Sequence, residues 1–266
     1  MGSIHICGRA HTNAEGGKGS SEIGGAVYGG NDDADNSGTL QYIRLEYTGF
    51  AFDEEHEANG ISFYGVGNGT IVDHCQAYKG SDDGFEFFGG SVNVSNLVAV
   101  SCSDDSFDWT EGWNGKGTNL VAYQEDKSTL GYDCDCLMEC DNNGSNNAAT
   151  PVAHPVLKNL ILVGNGGSKQ GIRLRAGTEV EIDNAKVCGK GQPLTVETAL
   201  TENALKNGTS KLTNITLTSE LSCKEGIYTH ADFIAVTSNK VDANLSYSSF
   251  EDIKKECSWM NGSWVK

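Results

Sequence analysis

Two short segments of the chain carry most of the side chains that could do chemistry. Residues 80–90 read GSDDGFEFFGG and residues 102–112 read CSDDSFDWTEG, so each has an aspartate pair followed by an aromatic–acid–aromatic triplet. Carboxylates repeated in this way can bind a divalent cation or serve as general acid and base, provided that the fold brings the copies together. At an offset of 22 residues the acidic positions align as Asp82 with Asp104, Asp83 with Asp105 and Glu86 with Asp108.

The repeat extends well beyond these two segments and predicts the elements that position them. A residue that opens each apolar run recurs at intervals of 22, 23, 40, 25 and 30 residues, and the runs that follow it are short and β-branched. Such a unit cannot bury its apolar face alone, so stacked units must share one core. We therefore predict an all-β, right-handed parallel β-helix with three short strands per turn and a ladder of amides along the recurring column, which is His74, Asn96, Asn119, Asn159, Asn184 and Asn214.

The predicted register places Glu86, Asp108 and Glu139 in one column, with Ser62 before them and Arg173 after them. Apolar neighbours flank each acid, so the alternation of a strand turns the charged side chain away from the core. Consecutive strands of a sheet lie about 4.8 Å apart. Like charges at that spacing either raise a carboxyl pKa or recruit a cation.

Three interpretations of the acidic column remain open. It can be a solvated acidic face that keeps the sheet soluble. It can be a calcium site, in which the corner residues Asp82, Asp83, Asp104 and Asp105 add ligands to Glu86, Asp108 and Glu139. It can be catalytic, because carboxylates about 5 Å apart suit a retaining glycosidase and Arg173 beside a metal suits a lyase. The candidate catalytic residues are then Glu86, Asp108, Glu139 and Arg173.

Composition excludes several classes of partner. The chain has 266 residues and a formal net charge of −17, which repels nucleic acid and anionic membrane surfaces. No apolar run approaches the roughly 20 residues of a membrane-spanning helix, and we expect a monomer. Nine cysteines suggest export with partial disulfide use. The strand-like start of the sequence suggests an upstream segment that carries the export signal.

We expect a single domain, residues 1–266, in three parts. Residues 1–38 form a first strand and a loop, residues 39–190 form the regular turns, and residues 191–266 form the last turns and a C-terminal cap with short helices. One helix should start at a Thr195 cap and end before Gly208. The tail from Asp242 should shield the last turn, whose edge would otherwise be exposed. An acidic insertion occupies residues 53–57.

Two further groups of residues could form sites. Cys134, Cys136 and Cys140 with the nearby His154 suggest zinc, although their spacing is more typical of buried thiols or a local disulfide. The aromatic residues Trp113, Tyr64 and Phe88 fall at predicted corners, where flat rings can face sugars or simply pack.

Several segments resemble a family of secreted β-helix proteins of Bacteroidetes and related bacteria, which is similar to certain spirochaete outer-membrane lipoproteins. The segments are residues 37–47, 65–69, 82–90, 104–109 and 259–264. The resemblance implies a pectin-lyase-like β-helix at the cell envelope or surface, and it implies no catalytic residue. We therefore expect a secreted or surface-anchored scaffold that binds an extracellular polysaccharide, with Ca²⁺ as the candidate cofactor. The alternative is a polysaccharide lyase or glycoside hydrolase that uses the acidic column.

Overall fold

The structure, a computed structural model, describes residues 2–49 and 58–266. The acidic insertion at residues 53–57 lies outside the described residues. Eighteen strands account for most of the regular structure of the described ranges. They are β1 (Ile4–Cys7), β2 (Gly19–Ser20), β3 (Val27–Tyr28), β4 (Thr39–Glu46), β5 (Ile61–Tyr64), β6 (Ile71–Tyr78), β7 (Phe85–Phe88), β8 (Asn93–Val100), β9 (Phe107–Thr110), β10 (Lys116–Tyr123), β11 (Met138–Asp141), β12 (Val156–Val163), β13 (Gln170–Arg175), β14 (Glu181–Cys188), β15 (Gln192–Val196), β16 (Lys211–Leu217), β17 (Ser222–Cys223) and β18 (Lys240–Val241).

Two parallel sheets of eight strands form the body of the molecule. Sheet one has the order β1-β5-β7-β9-β11-β13-β15-β17, and sheet two has the order β4-β6-β8-β10-β12-β14-β16-β18. The chain alternates between the sheets, so each turn adds one strand to each of them. This confirms the prediction of an all-β parallel β-helix, although each turn contributes two strands rather than the three predicted.

Sheet two bends along a column of residues with left-handed backbone. The fourth residue of each long strand, from Tyr42 in β4 to Asn214 in β16, has φ between 53° and 63°. The bend divides the strands into two short halves and gives the solenoid a third face. Asparagine is favoured here because it tolerates positive φ better than most residues.

The predicted amide ladder runs along the same column. Asn119 Nδ2 donates to Asn96 Oδ1 at 2.8 Å, Asn159 donates to Asn119 at 3.0 Å and Asn184 donates to Asn159 at 2.9 Å. The ladder ends at Asp73, whose Oδ1 accepts from Asn96 at 2.7 Å. Each turn is thus tied to the previous one by a side chain as well as by backbone hydrogen bonds.

The interior holds one continuous apolar core, in which side chains from successive turns lie over one another. Phe63 stacks on Phe87 with centroids 5.0 Å apart, and Phe85 stacks on Phe107 at 5.5 Å. The aromatic triplets of the repeat therefore supply the core with their outer residues and leave the acid between them on the outside.

The described ranges contain four short helices, and three of them follow residue 198. They are α1 (Lys127–Leu130), α2 (Ala199–Lys206), α3 (His230–Ala235) and α4 (Phe250–Glu256), and 3-10 turns occur at Glu15–Gly17 and Ser258–Met260. Helix α2 is the helix predicted before Gly208, but its N-cap is Thr198 rather than Thr195, which lies in β15. Helix α3 lies between β17 and β18 and inserts Phe233 into the core.

The tail does not shield the last turn as predicted. Residues 245–265 lie against the outer face of sheet two, where Ile253, Met260 and Trp264 pack on a patch that includes Val98 and Val121. At its end the Lys266 backbone N–H donates to Gln76 Oε1 at 2.8 Å, close to the N-terminal end of the sheet. We call residues 245–265 the strap. The apolar patch draws the strap to this face because strands β8, β10 and β12 are apolar on both sides.

Candidate functional site: an acidic cleft on sheet one

Sheet one brings the predicted acidic column together. Glu86 in β7 is in register with Asp108 in β9, and Asp108 is in register with Glu139 in β11. Ser62 precedes them and Arg173 follows them in the same row. The longer interval before Glu139 does not disturb the register, because the additional residues leave the sheet as α1 and the loops around it.

The two aspartate pairs form the corner beside this column. Asp83 Oδ1 accepts from the backbone N–H of Asp105 at 2.9 Å, and Asp105 Oδ1 accepts from the backbone N–H of Cys136 at 2.6 Å. Each bond crosses from one turn to the next, which fixes the side chains in place. The corner aspartates thus have a structural role, and it holds them next to the column.

The column and the corner line one cavity of about 400 Å³. Every one of the seven predicted metal-binding residues is on its wall, together with Arg173. Sequence analysis missed three further lining residues, Glu22, Asn59 and Asp135. The sequence does indicate Asp135, because residues 133–140 are a third copy of the repeat in which Asp135 takes the place of Asp104. No sequence pattern indicates Glu22, since a loop folded across sheet one brings it to the cleft.

Charge in the cleft is unevenly balanced. Arg173 Nη1 lies 2.8 Å from one oxygen of Glu139 and Arg175 Nη2 lies 2.6 Å from the other. No comparable ion pair with Glu86 or Asp108 occurs within the described ranges. The Glu139 end of the column is therefore neutralised by arginine, whereas the opposite end concentrates negative charge.

Burial raises the free-energy cost of this concentrated negative charge. Glu86 is only 8% exposed and Asp83 only 6%, so these positions are not part of a freely solvated acidic face. Burial, followed by repulsion from neighbouring carboxylates, raises the pKa of four cleft acids well above the ordinary carboxyl range. These acids are Asp83, Glu86, Asp105 and Asp108. Asn59 relieves part of the cost by donating a short hydrogen bond to Glu86.

The oxygen atoms are spaced as cation ligands would be. Three sets of carboxylates offer oxygens that all lie within 4.8 Å of one another, and two of these sets share Asp108. The sets are Asp82, Asp83 and Asp104; Asp83, Glu86 and Asp108; and Asp105, Asp108 and Glu139. Asp108 Oδ1 is buried and accepts no hydrogen bond from the described part of the chain. The donor set consists of hard oxygens, which fits calcium.

The cysteine cluster does not form the zinc site considered above. Cys134, Cys136 and Cys140 are buried, while the His154 ring is held elsewhere by Glu179 at 2.9 Å. All nine cysteines lie in the described ranges and all are free thiols, so the expected disulfides are absent. Burial raises the pKa of these thiols, which keeps them protonated and inert.

The three aromatics considered for sugar binding are packing residues, and two of them, Tyr64 and Phe88, end strands β5 and β7 rather than lying at corners. Trp113 is 1% exposed and stacks on Phe87 at 4.1 Å, and Tyr64 stacks on Phe88 at 4.4 Å. The most exposed aromatic rings of the described residues are instead Tyr42 and Tyr47, at the first strand of sheet two.

Comparison with known proteins gives one match. The model of a family described as a pectate-lyase like beta helix domain matches residues 1–266. No curated protein and no solved structure matches the chain. Within the described ranges no helix has the length and apolar character needed to cross a membrane.

Proposed function

The chain belongs to the pectate-lyase-like β-helix family, and from that premise we propose that it is an extracellular glycan-binding protein whose acidic cleft holds calcium. The observation that carries the cation part is the convergence of nine carboxylates and one arginine on a single cavity. Four of these acids have raised pKa values, so at neutral pH the cleft needs protons or a cation to offset its charge.

Calcium fits this donor set better than other common cations. It accepts six to eight oxygen ligands in flexible geometry, whereas magnesium demands a small octahedron and retains water. The cleft offers several carboxylate oxygens from three successive turns, and the described residues that line it include no histidine. Asp108 belongs to two of the three-carboxylate sets, so its free oxygen is the central ligand in the proposal.

A bound cation also supplies a way to hold an acidic glycan. A chain with a net charge of −17 repels polyanions, and its acidic cleft repels them most strongly. Calcium in the cleft reduces the local negative charge and leaves coordination positions for carboxylate groups of a polysaccharide. The glycan part of the proposal is supported by the family, and a secreted or surface-anchored location would give access to such ligands.

Calcium titration tests the cation site. We expect saturable binding by isothermal titration calorimetry and an increase in melting temperature, since a cation at 100 times its Kd stabilises the folded state by about 2.7 kcal/mol. Asp108→Asn should blunt both responses, and Glu220→Gln, which removes an exposed acid outside the cleft, should change neither. If wild-type protein neither binds calcium nor responds to chelator, the cleft is only an acidic face.

Glycan binding is then measured on an array, with calcium and with chelator. The proposal expects acidic polysaccharides to bind only with calcium, and loss of that binding in Asp108→Asn. Calcium binding without any glycan binding would support a structural cation site and contradict the glycan role.

Catalysis is a second candidate function, and the short distance between two carboxylates favours it. One carboxylate oxygen of Glu86 lies no more than 4.8 Å from one of Asp108, so the two groups are near enough to act as the carboxyl pair of a retaining glycosidase. Release of reducing sugar, or of unsaturated product that absorbs at ultraviolet wavelengths, would support an enzyme if it disappears in Glu86→Gln. Binding without turnover would support the scaffold.

A further inference from the structure

Two aromatic residues occupy the start of the left-handed column. Tyr42 and His74 stand where the five later turns carry asparagine, and their φ angles are 55° and 53°. Histidine, like asparagine, is enriched at positive φ, but a tyrosine pays more for left-handed backbone. Backbone preference therefore does not explain Tyr42, and its contacts must supply the reason.

The rings of Tyr42 and His74 form an aromatic stack at the start of the column, and one face of the Tyr42 ring is exposed. Tyr42 lies over His74 with centroids 4.7 Å apart and an angle of 24° between the ring planes. Trp264, from the end of the strap, stands edge-on to both rings, 6.4 Å from Tyr42 and 5.1 Å from His74. Tyr42 is nonetheless 62% exposed, because β4 is the edge of sheet two and no described strand covers the far side of the ring.

Polar groups surround this open ring. Tyr42 and Trp264 line a cavity of about 580 Å³ together with Arg44, Glu46 and residues 261–263. Arg44 is held in place, since its Nε donates to Glu46 at 2.7 Å and its Nη1 donates to the Ser263 carbonyl at 2.7 Å. The cavity thus presents a flat apolar surface with a guanidinium, a carboxylate and an amide around it.

One buried donor in the wall lacks an acceptor. The Trp264 side chain is 7% exposed, and its indole N–H makes no hydrogen bond to the described residues. Buried indole N–H groups usually have a partner. Because this nitrogen is itself buried, a ligand hydroxyl can accept its hydrogen only if the Trp264 ring turns.

We propose that this cavity is a second glycan subsite, in which a pyranose ring stacks on Tyr42 and its hydroxyls bond to Arg44, Glu46 and Asn261. A sugar has one apolar C–H face and a rim of hydroxyls, which is the pattern that this cavity complements. Sheet two carries the site and sheet one carries the acidic cleft, so stacking on Tyr42 requires no cation. The inference goes beyond the proposed calcium site and survives without it.

The test uses the full chain in the presence of chelator, which removes calcium from the acidic cleft. Cellobiose, maltose and xylobiose are titrated while tryptophan fluorescence and saturation-transfer NMR are recorded. We expect at least one of them to bind saturably, with contacts from the C–H face of one sugar ring. Tyr42→Asn installs the residue of the later turns and should weaken binding about tenfold, whereas Tyr42→Phe keeps the ring and should bind within about threefold of wild type.

Tyr47→Asn is the matched control. Tyr47 is 52% exposed and also has positive φ, at 54°, but it lies outside the cavity. Its loss should leave sugar binding unchanged. Absence of saturable binding by wild type, or equal binding by wild type and Tyr42→Asn, overturns the proposal. Concentration-dependent dimerisation that Tyr42→Asn abolishes, without sugar binding, would instead assign the ring to contact with a second copy. Calcium titration of Tyr42→Asn shows separately whether the acidic cleft binds calcium. Failure of the sugar subsite is therefore distinguishable from failure of the calcium site.

Discussion

At the scale of single residues, the cleft is a set of acids that the fold holds closer than their charges favour. Asp83 and Asp105 are fixed by backbone hydrogen bonds from the next turn, and Glu86 and Asp108 are fixed by the register of sheet one. Asp83 and Asp105 therefore cannot move apart without losing an interturn hydrogen bond. Protonation or a cation is therefore the available way to reduce the repulsion.

This arrangement predicts a pH dependence of stability for the metal-free protein. A carboxyl whose pKa is higher in the folded state than in the unfolded state binds more protons when folded, so its stabilisation is complete below the unfolded pKa and is lost as pH rises. The four cleft acids have raised pKa values. We expect the melting temperature in chelator to fall between about pH 5 and pH 8, since ordinary carboxyl pKa values lie near 4.

Calcium should reverse that trend. A cation replaces the protons, so its stabilising effect should be larger at pH 8 than at pH 5, and Asp108→Asn should reduce the difference. Differential scanning fluorimetry at several pH values, with chelator or calcium, measures both effects. A metal-free melting temperature that rises through this range would contradict raised pKa values in the cleft.

At the scale of elements, the bend of sheet two depends on the asparagine column. Asn119 donates to Asn96 and accepts from Asn159, and its φ is 60°. It thus combines two interturn hydrogen bonds with a backbone conformation that most side chains avoid.

Substitution at Asn119 separates these two contributions. Asn119→Ala loses both hydrogen bonds and retains the strain, so we expect a loss of about 2–4 kcal/mol in the free energy of unfolding. Asn119→Gly loses the bonds but adopts positive φ freely, so it should be less destabilised than the alanine variant. Urea denaturation measures both. Equal losses in the two variants would show that φ contributes little.

At the scale of the whole molecule, the strap adds contacts between distant parts of the chain to the contacts between neighbouring turns. It spans the outer face of sheet two and buries apolar side chains of several strands, including Val98, Val121 and Ile161. Lys266, the residue after the strap, reaches β6 through its hydrogen bond to Gln76, which is far from α4 in sequence. Contacts of this kind connect turns that do not touch one another.

Ile253 is the buried residue of α4 in this interface, and it tests the contribution of the strap. Ile253→Ala should lower the free energy of unfolding by about 2–5 kcal/mol and increase binding of a hydrophobic dye, because the patch on sheet two becomes accessible. Leu200→Ala, at a position 49% exposed, should change stability by less than about 0.5 kcal/mol. Similar behaviour of the two variants would contradict a stabilising strap.

The sequence by itself determined the repeat, and with it the strands, the asparagine column and the row of Glu86, Asp108 and Glu139. These follow from residue spacing, because a parallel β-helix converts a sequence interval directly into a register. It also indicated that β8, β10 and β12 are buried on both faces, since Leu97–Val100 and its equivalents are apolar throughout.

Only the tertiary structure decided which segments pack on the faces of the two sheets and around the acidic cleft. Glu22 enters the cleft from a loop, the strap covers sheet two rather than the last turn, and Trp264 reaches Tyr42 across more than 200 residues of sequence. No periodicity encodes such contacts, because each is made once, between a segment outside the repeat and a surface that exists only after the turns have stacked. The same reason explains the burial of Glu86: its strand turns it away from the core, and the segments folded over sheet one enclose it.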